Sequence, residues 1–79
     1  MKQKEIFNLG IALGLKGDIK ENLSNRGYIV FNGANNQRFL IYTNLTKKQT
    51  YKKLGEFLIL MGKRMKAMEI SRAISITDD

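Results

Sequence analysis

Two runs of β-branched and aromatic residues around a short polar segment constrain the fold of this chain more than any other feature. The runs are YIVF at residues 28–31 and FLIY at residues 39–42, and a segment rich in asparagine separates them. This pattern is typical of a β-hairpin. Because every position in both runs is apolar or aromatic, both faces of the hairpin need cover from helices or from a partner.

Two turns compete for this hairpin. A two-residue type I′ turn at Asn32-Gly33 would place asparagines opposite the first run and leave the second run unpaired. A turn centred on Asn35-Asn36 pairs apolar residues with apolar residues. We therefore predict the second turn, with the pairs Phe31–Leu40, Val30–Ile41 and Ile29–Tyr42.

The residues before the hairpin predict two helices joined by a tight turn. Apolar residues recur at helical spacing over residues 2–15, with Ile6, Leu9 and Leu13 on one face. Gly17 is the predicted residue that ends this helix. The D-x-x-E segment at residues 18–21 is typical of a helix N-cap, and a short second helix is expected to follow it and to end near Arg26-Gly27.

A long amphipathic helix is predicted after the hairpin, over about residues 47–70. Thr46 and Gln49 form a T-x-x-Q capping box at its start. An apolar stripe about 120° wide follows, as expected for a core-facing helix. Residues 74–77 alternate as a strand does and are a candidate third strand. The stripe consists of Tyr51, Leu54, Phe57, Leu58, Met61, Met65 and Met68.

The expected fold class is α+β, in one domain over residues 1–79. Its predicted order is helix, short helix, β-hairpin and long amphipathic helix, with a possible short third strand at the C-terminus. A chain of 79 residues leaves no room for a second domain. The predicted core draws on every element: Ile6, Leu9, Leu13, Leu23, Val30, Ile41, Leu54, Phe57, Leu58 and Met61.

Histidine and cysteine are both absent. Their absence removes the usual ligands of zinc, haem and iron–sulfur clusters, every thiol nucleophile and every serine–histidine arrangement. No glycine pattern matches a P-loop or a dinucleotide-binding turn, and no two acids are spaced as a catalytic pair. We therefore expect no enzyme activity, metal, cofactor or small-molecule substrate.

The chain lacks the features of a membrane or secreted protein. The longest dense apolar run, residues 57–61, is far shorter than the roughly 20 residues needed to span a bilayer. The N-terminal segment has no signal-peptide cleavage site. We expect a cytoplasmic protein without a membrane partner. Lysine, isoleucine and asparagine make up about a third of the chain, as AT-rich genomes and their viruses tend to encode, so a viral protein would act in a host cytoplasm.

Positive charge is concentrated in the C-terminal part. The chain has 14 lysines and arginines against 7 acids, and residues 47–72 hold eight of the cations and two of the acids. On one continuous helix, four of these lysines fall within about 60° and form a ridge that phosphates can follow. Polar side chains at the hairpin tip suit a secondary contact. The predicted nucleic-acid-binding residues are Lys48, Lys52, Lys63 and Lys66 in the ridge, Lys53 and Arg64 beside it, and Gln37 and Arg38 at the tip.

The positive face has three interpretations. It can be a solvated face that keeps a small protein soluble. It can bind DNA or RNA through phosphate contacts, which is the leading hypothesis. It can also dock on an acidic protein surface, as a small inhibitor or adaptor from a phage or mobile element would.

Self-association is expected because a chain this short cannot readily bury so much apolar surface. A symmetric homodimer would cover one patch with its own copy. Gly55 and Gly62 lie seven residues apart beside the apolar stripe, with Ile59 between them, and these three residues are the predicted dimer interface. The alternative is that both glycines serve packing within the protomer.

Overall fold

The computed structural model describes residues 1–24 and 27–76. Within these ranges, four α-helices and a two-stranded antiparallel hairpin form a compact α+β domain, which confirms the predicted fold class. Among the described residues, no helix combines the length and the apolar character needed to cross a membrane. The elements are α1 (Gln3–Ala12), α2 (Ile19–Ser24), β1 (Tyr28–Asn32), β2 (Arg38–Tyr42), α3 (Lys47–Leu60) and α4 (Arg64–Ser75).

The hairpin has the predicted left-handed residues but a different register. Asn35 and Asn36 adopt φ values of 56° and 60°. They lie in a five-residue loop rather than a two-residue turn, because the Gly33 N–H donates to the Gln37 carbonyl at 2.7 Å. The predicted pairs Phe31–Leu40, Val30–Ile41 and Ile29–Tyr42 are therefore wrong by one residue. The observed pairs are Tyr28–Tyr42, Ile29–Ile41, Val30–Leu40, Phe31–Phe39 and Asn32–Arg38.

This shift of one residue moves the side chains of β2 to the opposite face. Phe39 and Ile41 join Ile29 and Phe31 on the core face, where Phe39 is half-buried and the other three are fully buried. The outer face carries the pairs Tyr28–Tyr42, Val30–Leu40 and Asn32–Arg38. Val30 is buried there, whereas Leu40 and Tyr42 are exposed. One face of the hairpin therefore supplies the core, and the other does not need complete cover.

Helices α1 and α3 cover the core face through aromatic contacts. The rings of Phe7 and Phe31 stack with centroids 6.5 Å apart, and those of Phe39 and Phe57 stack at 4.5 Å with an interplanar angle of 3°. Gly10 of α1 lies against Phe31, where a Cβ atom would approach the ring to 2.1 Å. The missing side chain at Gly10 lets α1 pack closely on the strand.

Helix α1 ends earlier than predicted. The N–H groups of Gly14 and Leu15 donate to the carbonyls of Ile11 and Gly10, and Gly14 has a φ of 85°. This is a Schellman motif, so Gly14 rather than Gly17 terminates the helix. Gly17 instead allows a close approach, since a Cβ atom there would lie 2.9 Å from Nδ2 of Asn22.

Helix α2 has the predicted N-cap but buries a different residue. Asp18 Oδ1 accepts hydrogen bonds from the N–H groups of Lys20 and Glu21 at 2.8 and 3.2 Å. Leu23, predicted in the core, is exposed, whereas Asn22 is buried. The Asn22 side chain accepts the Val30 N–H and donates to the Asp18 carbonyl, so its amide satisfies the strand edge. The described part of this helix is Ile19–Ser24, and the predicted end near Arg26-Gly27 falls on residue 26, which lies outside the described residues, and on Gly27, which is not helical.

The predicted single helix over residues 47–70 is wrong, because two helices occupy this segment. The N–H groups of Gly62 and Lys63 donate to the carbonyls of Ile59 and Leu58, and Gly62 has a φ of 76°. This second Schellman motif ends α3 and reverses the chain. Helix α4 then runs back along α3, with Ile70 against Gly55.

Residues 74–76 do not form the predicted third strand. They complete α4, whose C-cap is Ile76, and residue 77 lies outside the described residues. The strand-like addition to the hairpin comes from the other end of the chain, where Lys16 forms an isolated bridge with Asn32.

The predicted core is largely confirmed. Leu9 and Met61 are half-buried, and Leu23 is the one predicted core residue that is exposed. Further buried hydrophobic residues come from the core face of the hairpin, from α1 and the loop after it, and from α4: Phe7, Leu15, Ile29, Phe31, Ala67 and Ile70.

Candidate nucleic-acid interface

The four lysines of the predicted ridge do not lie along one helix. Lys48 and Lys52 lie on α3, whereas Lys63 precedes α4 and Lys66 lies in its first turn. The chain reverses at Gly62, so the two pairs of lysines lie towards opposite ends of the α3–α4 hairpin. From Lys48 to the end of α3 the axial distance is about 18 Å at 1.5 Å per residue.

The start of α3 is basic and well capped. Thr46 Oγ1 accepts the Gln49 N–H at 3.1 Å, and Gln49 Oε1 accepts the Thr46 N–H at 3.0 Å, which confirms the predicted capping box. Lys47 and Lys48 are the first two residues of the helix. Lys47 Nζ lies 5.9 Å from the centroid of the Tyr51 ring.

The start of α4 is also basic. Lys63 is its N-cap residue and makes no side-chain capping hydrogen bond, and Arg64 and Lys66 lie in the first turn. The first backbone N–H groups of a helix have no partner within it. This helix end therefore combines outward-pointing N–H groups with three cationic side chains.

Cations at these positions oppose the helix macrodipole, whose N-terminal end is positive. Helices α1 and α2 each carry an acid in the first turn, Glu5 and Glu21, as the dipole favours. Helices α3 and α4 carry none there. A bound anion at either end would relieve the repulsion and accept hydrogen bonds from N–H groups that have no partner within the helix.

The cations of the α3–α4 hairpin are weakly paired. Lys53 and Lys66 contact Glu56 and Glu69 at 3.9 and 3.7 Å, in exposed pairs of a kind worth less than about 1 kcal/mol. Both lysines can exchange these partners for a phosphate at small cost. Within the part of the chain that the structure describes, the cations of this hairpin without an ion pair include Lys48, Lys52, Lys63, Arg64 and Arg72.

The predicted contact at the hairpin tip is already partnered. Arg38 Nη1 lies 2.7 Å from Glu21 Oε1, so its charge is balanced by α2. The backbone of Gln37 closes the five-residue loop, and its side chain is exposed. The structure therefore places Gln37 and Arg38 side by side but gives Arg38 a partner within the protomer.

The three residues of the predicted dimer interface lie in three different environments. A Cβ atom on Gly55 would lie 3.0 Å from Cγ2 of Ile70, so this glycine marks the crossing of α3 and α4. Gly62 forms the turn between them. Gly55 therefore serves packing within the protomer, and Gly62 serves the turn. Ile59 is exposed and borders a surface groove of about 300 Å³ together with Arg64, Ala67, Met68 and Ser71.

Large hydrophobic side chains are exposed at and near this groove. The predicted stripe placed Met65 and Met68 with the core, but both are exposed because the chain reverses before them. Ile59 and Leu60 at the end of α3 are exposed as well. We call these four exposed residues, Ile59, Leu60, Met65 and Met68, the apolar patch. Ile59 and Met68 line the groove together with Arg64, and Met65 and Met68 line a second one.

Two cations of this surface were absent from the predicted site. Lys47 follows directly after the Thr46 cap, so the sequence did indicate that the first residue of α3 is a cation. Arg72 lies in the last turn of α4, where the macrodipole favours it. The basic start of α4 had no such signal, because it depends on the chain reversal at Gly62.

The described residues contain no group of three or more acids placed to hold a metal ion. Models of known protein families, curated proteins and solved structures give no match to this chain. The geometry and charge of the α3–α4 hairpin are therefore the observations on which a function can be argued.

Proposed function

We propose that this protein is a non-enzymatic nucleic-acid-binding protein that holds phosphates on its α3–α4 hairpin. The observation that supports the proposal is the placement of cations at the starts of α3 and α4, where they work against folding. Residues that oppose stability and offer anion contacts are typical of a binding site.

Each helix start offers a phosphate two kinds of contact. Backbone N–H groups donate hydrogen bonds, and lysine or arginine side chains supply charge. Lys47 and Lys48 serve the start of α3, and Lys63, Arg64 and Lys66 serve the start of α4. Binding releases the counterions that neutralised the phosphates, which makes it dependent on salt.

The separation of the two helix starts favours a polymer over a small anion. Helix α3 has 14 residues, so its ends are about 21 Å apart at 1.5 Å per residue. A single phosphate reaches one end only, whereas a nucleic-acid backbone carries a phosphate every few ångströms and reaches both. Lys52 and Lys53 lie on α3 between the two starts.

The salt dependence of binding tests this proposal. With four phosphates neutralised, the logarithm of the affinity for duplex DNA should fall with the logarithm of salt concentration at a slope of about −3 to −4. Lys48→Gln together with Arg64→Gln should make the slope shallower by about 2, because each removed phosphate contact contributes about 1. Fluorescence anisotropy with a labelled duplex at several salt concentrations measures both.

A matched pair of substitutions serves as the control. Lys4→Gln and Lys20→Gln remove the same charge from the second positions of α1 and α2, outside the α3–α4 hairpin. They should leave the slope unchanged. Binding that is absent at low salt, or a slope that responds equally to both pairs, would refute the proposed site.

A second candidate function rests on the apolar patch. Its four large hydrophobic side chains are exposed on the α3–α4 hairpin, and exposed apolar surface with methionine suits an adaptable protein-binding site. With cations around it, the patch fits an acidic partner, as an inhibitor or adaptor would need. This candidate replaces the first if the protein fails to bind DNA and RNA at low salt.

A further inference from the structure

The two edges of the hairpin differ in how their backbone groups are satisfied. Three separate segments hydrogen-bond to the outer edge of β1. These bonds run from Gln3 Nε2 to the Tyr28 carbonyl at 3.0 Å, from the Val30 N–H to Asn22 Oδ1, and from the Asn32 N–H to the Lys16 carbonyl at 2.8 Å. This edge is closed to further pairing.

The outer edge of β2 carries the matching free groups. In an antiparallel pair, opposed residues alternate between those that bond to each other and those whose N–H and C=O point away. Val30 and Asn32 point away from β2, so their partners Leu40 and Arg38 point away from β1. Within residues 1–24 and 27–76, no loop, side chain or helix donates a hydrogen bond to this edge.

We infer that β2 pairs edge to edge with β2 of a second copy of this chain. A two-fold axis at Leu40 places Leu40 opposite itself and Arg38 opposite Tyr42. All three residues then exchange both backbone hydrogen bonds with the second copy, which gives six bonds across the axis. The two hairpins become one four-stranded antiparallel sheet. This inference is independent of the proposed function.

The chemistry of the edge favours a second copy over an unrelated strand. The pairing buries Leu40 against Leu40, both of which are 39% exposed in the protomer. It also sets the Arg38 guanidinium beside the Tyr42 ring, an attractive cation–π pair. The contact of Arg38 with Glu21 makes the edge locally neutral, so two copies do not repel there.

The α3–α4 hairpin is a poorer place for the copies to meet. It carries eight cations against two acids over residues 47–72, so pairing there would bring like charges together. Ile70 already occupies the gap at Gly55. The β2 edge has a self-complementary sequence and free backbone groups, and it leaves the basic surface of each copy open.

Disulfide formation from single cysteines tests the register. The chain has no cysteine of its own, so Leu40→Cys places one thiol per copy at the two-fold axis. The Cα atoms of this pair would lie about 5.5 Å apart, within the range that a disulfide spans. Mild oxidation should convert most of the protein to a covalent dimer, seen by non-reducing electrophoresis.

Tyr42→Cys is the matched control, since it lies on the same face and edge. Its two thiols would be about 13 Å apart, because residue 42 pairs with residue 38. It should cross-link at least tenfold more slowly. Equal cross-linking of Leu40→Cys and Tyr42→Cys, or faster cross-linking of Ile59→Cys on the α3–α4 hairpin, would overturn the inferred pairing.

A second measurement uses no cysteine. In analytical ultracentrifugation at tens of micromolar, the wild-type protein should sediment at twice the protomer mass of 9.1 kDa. Leu40→Lys puts like charges opposite each other and should raise the dissociation constant at least tenfold, with an unchanged circular dichroism spectrum. Leu60→Lys makes the same change at an exposed site off the edge and should leave the mass unchanged. A wild-type monomer would overturn the inference.

Discussion

At the scale of the residue, Gly10 shows how a core contact overrides helix propensity. Alanine is favoured over glycine inside a helix by about 1 kcal/mol. At this position in α1, a Cβ atom would approach Phe31 Cζ to 2.1 Å, and Phe31 is fully buried. The strand cannot yield without disturbing the stack of Phe7 on Phe31.

We therefore expect Gly10→Ala to lower the free energy of unfolding. Overpacking of this kind costs about 1–3 kcal/mol, which exceeds the gain in propensity. Asn8→Ala, at an exposed position of the same helix, isolates the propensity term and should stabilise slightly. Urea unfolding measures both. A Gly10→Ala protein as stable as the wild type would mean that α1 does not lie on Phe31.

Single-residue burial was only partly predictable from the sequence. The apolar periodicity identified most of the core correctly, since it depends on spacing alone. It failed at Leu23 and Asn22, because a buried asparagine is explained only by the partner that it meets. That partner is the Val30 N–H on another element, and the sequence does not reveal this pairing.

At the scale of the element, local backbone chemistry prevailed over apolar periodicity. The stripe continues through Met65 and Met68, so its spacing favoured one long helix. Gly62 instead takes a left-handed conformation and ends α3. The reversal buries Ala67 and Ile70 against α3 while it exposes both methionines. The predicted hairpin register was wrong for a related reason. The length of the loop determines the register, whereas the prediction relied on pairing apolar residues with each other.

Gly55 tests where α3 and α4 cross. Gly55→Leu should destabilise the protomer by about 1–3 kcal/mol, because the new side chain meets Ile70 where even a Cβ atom would lie at 3.0 Å. Glu56→Leu adds the same side chain at the neighbouring exposed position and should cost less. Denaturant unfolding at two protein concentrations is the measurement. A loss that disappears at the higher concentration would place Gly55 between copies instead.

At the scale of the whole molecule, positive charge is unevenly distributed. Every part of the fold contributes to the core, including the inner sides of α3 and α4, but the α3–α4 hairpin carries most of the net charge of +7. The concentration of charge was predictable, because it follows from composition along the chain. Its geometry was not, since the two basic helix starts exist only after the reversal at Gly62.

We propose that the basic starts of α3 and α4 exchange stability for anion binding. Lys48→Glu with Arg64→Glu should therefore raise the free energy of unfolding, by about 0.3–1 kcal/mol for each helix, since acids at helix N-termini are favourable. The same protein should lose affinity for DNA and RNA by more than tenfold at low salt. Lys4→Glu with Lys20→Glu makes the same charge change at the starts of α1 and α2.

The most direct test measures unfolding and nucleic-acid affinity side by side for these two double variants. Both should be more stable than the wild type or equal to it, and only Lys48→Glu with Arg64→Glu should lose affinity by the larger factor. If that variant is less stable than the wild type, or binds DNA as well as the Lys4→Glu and Lys20→Glu control does, the α3 and α4 starts are not the phosphate sites.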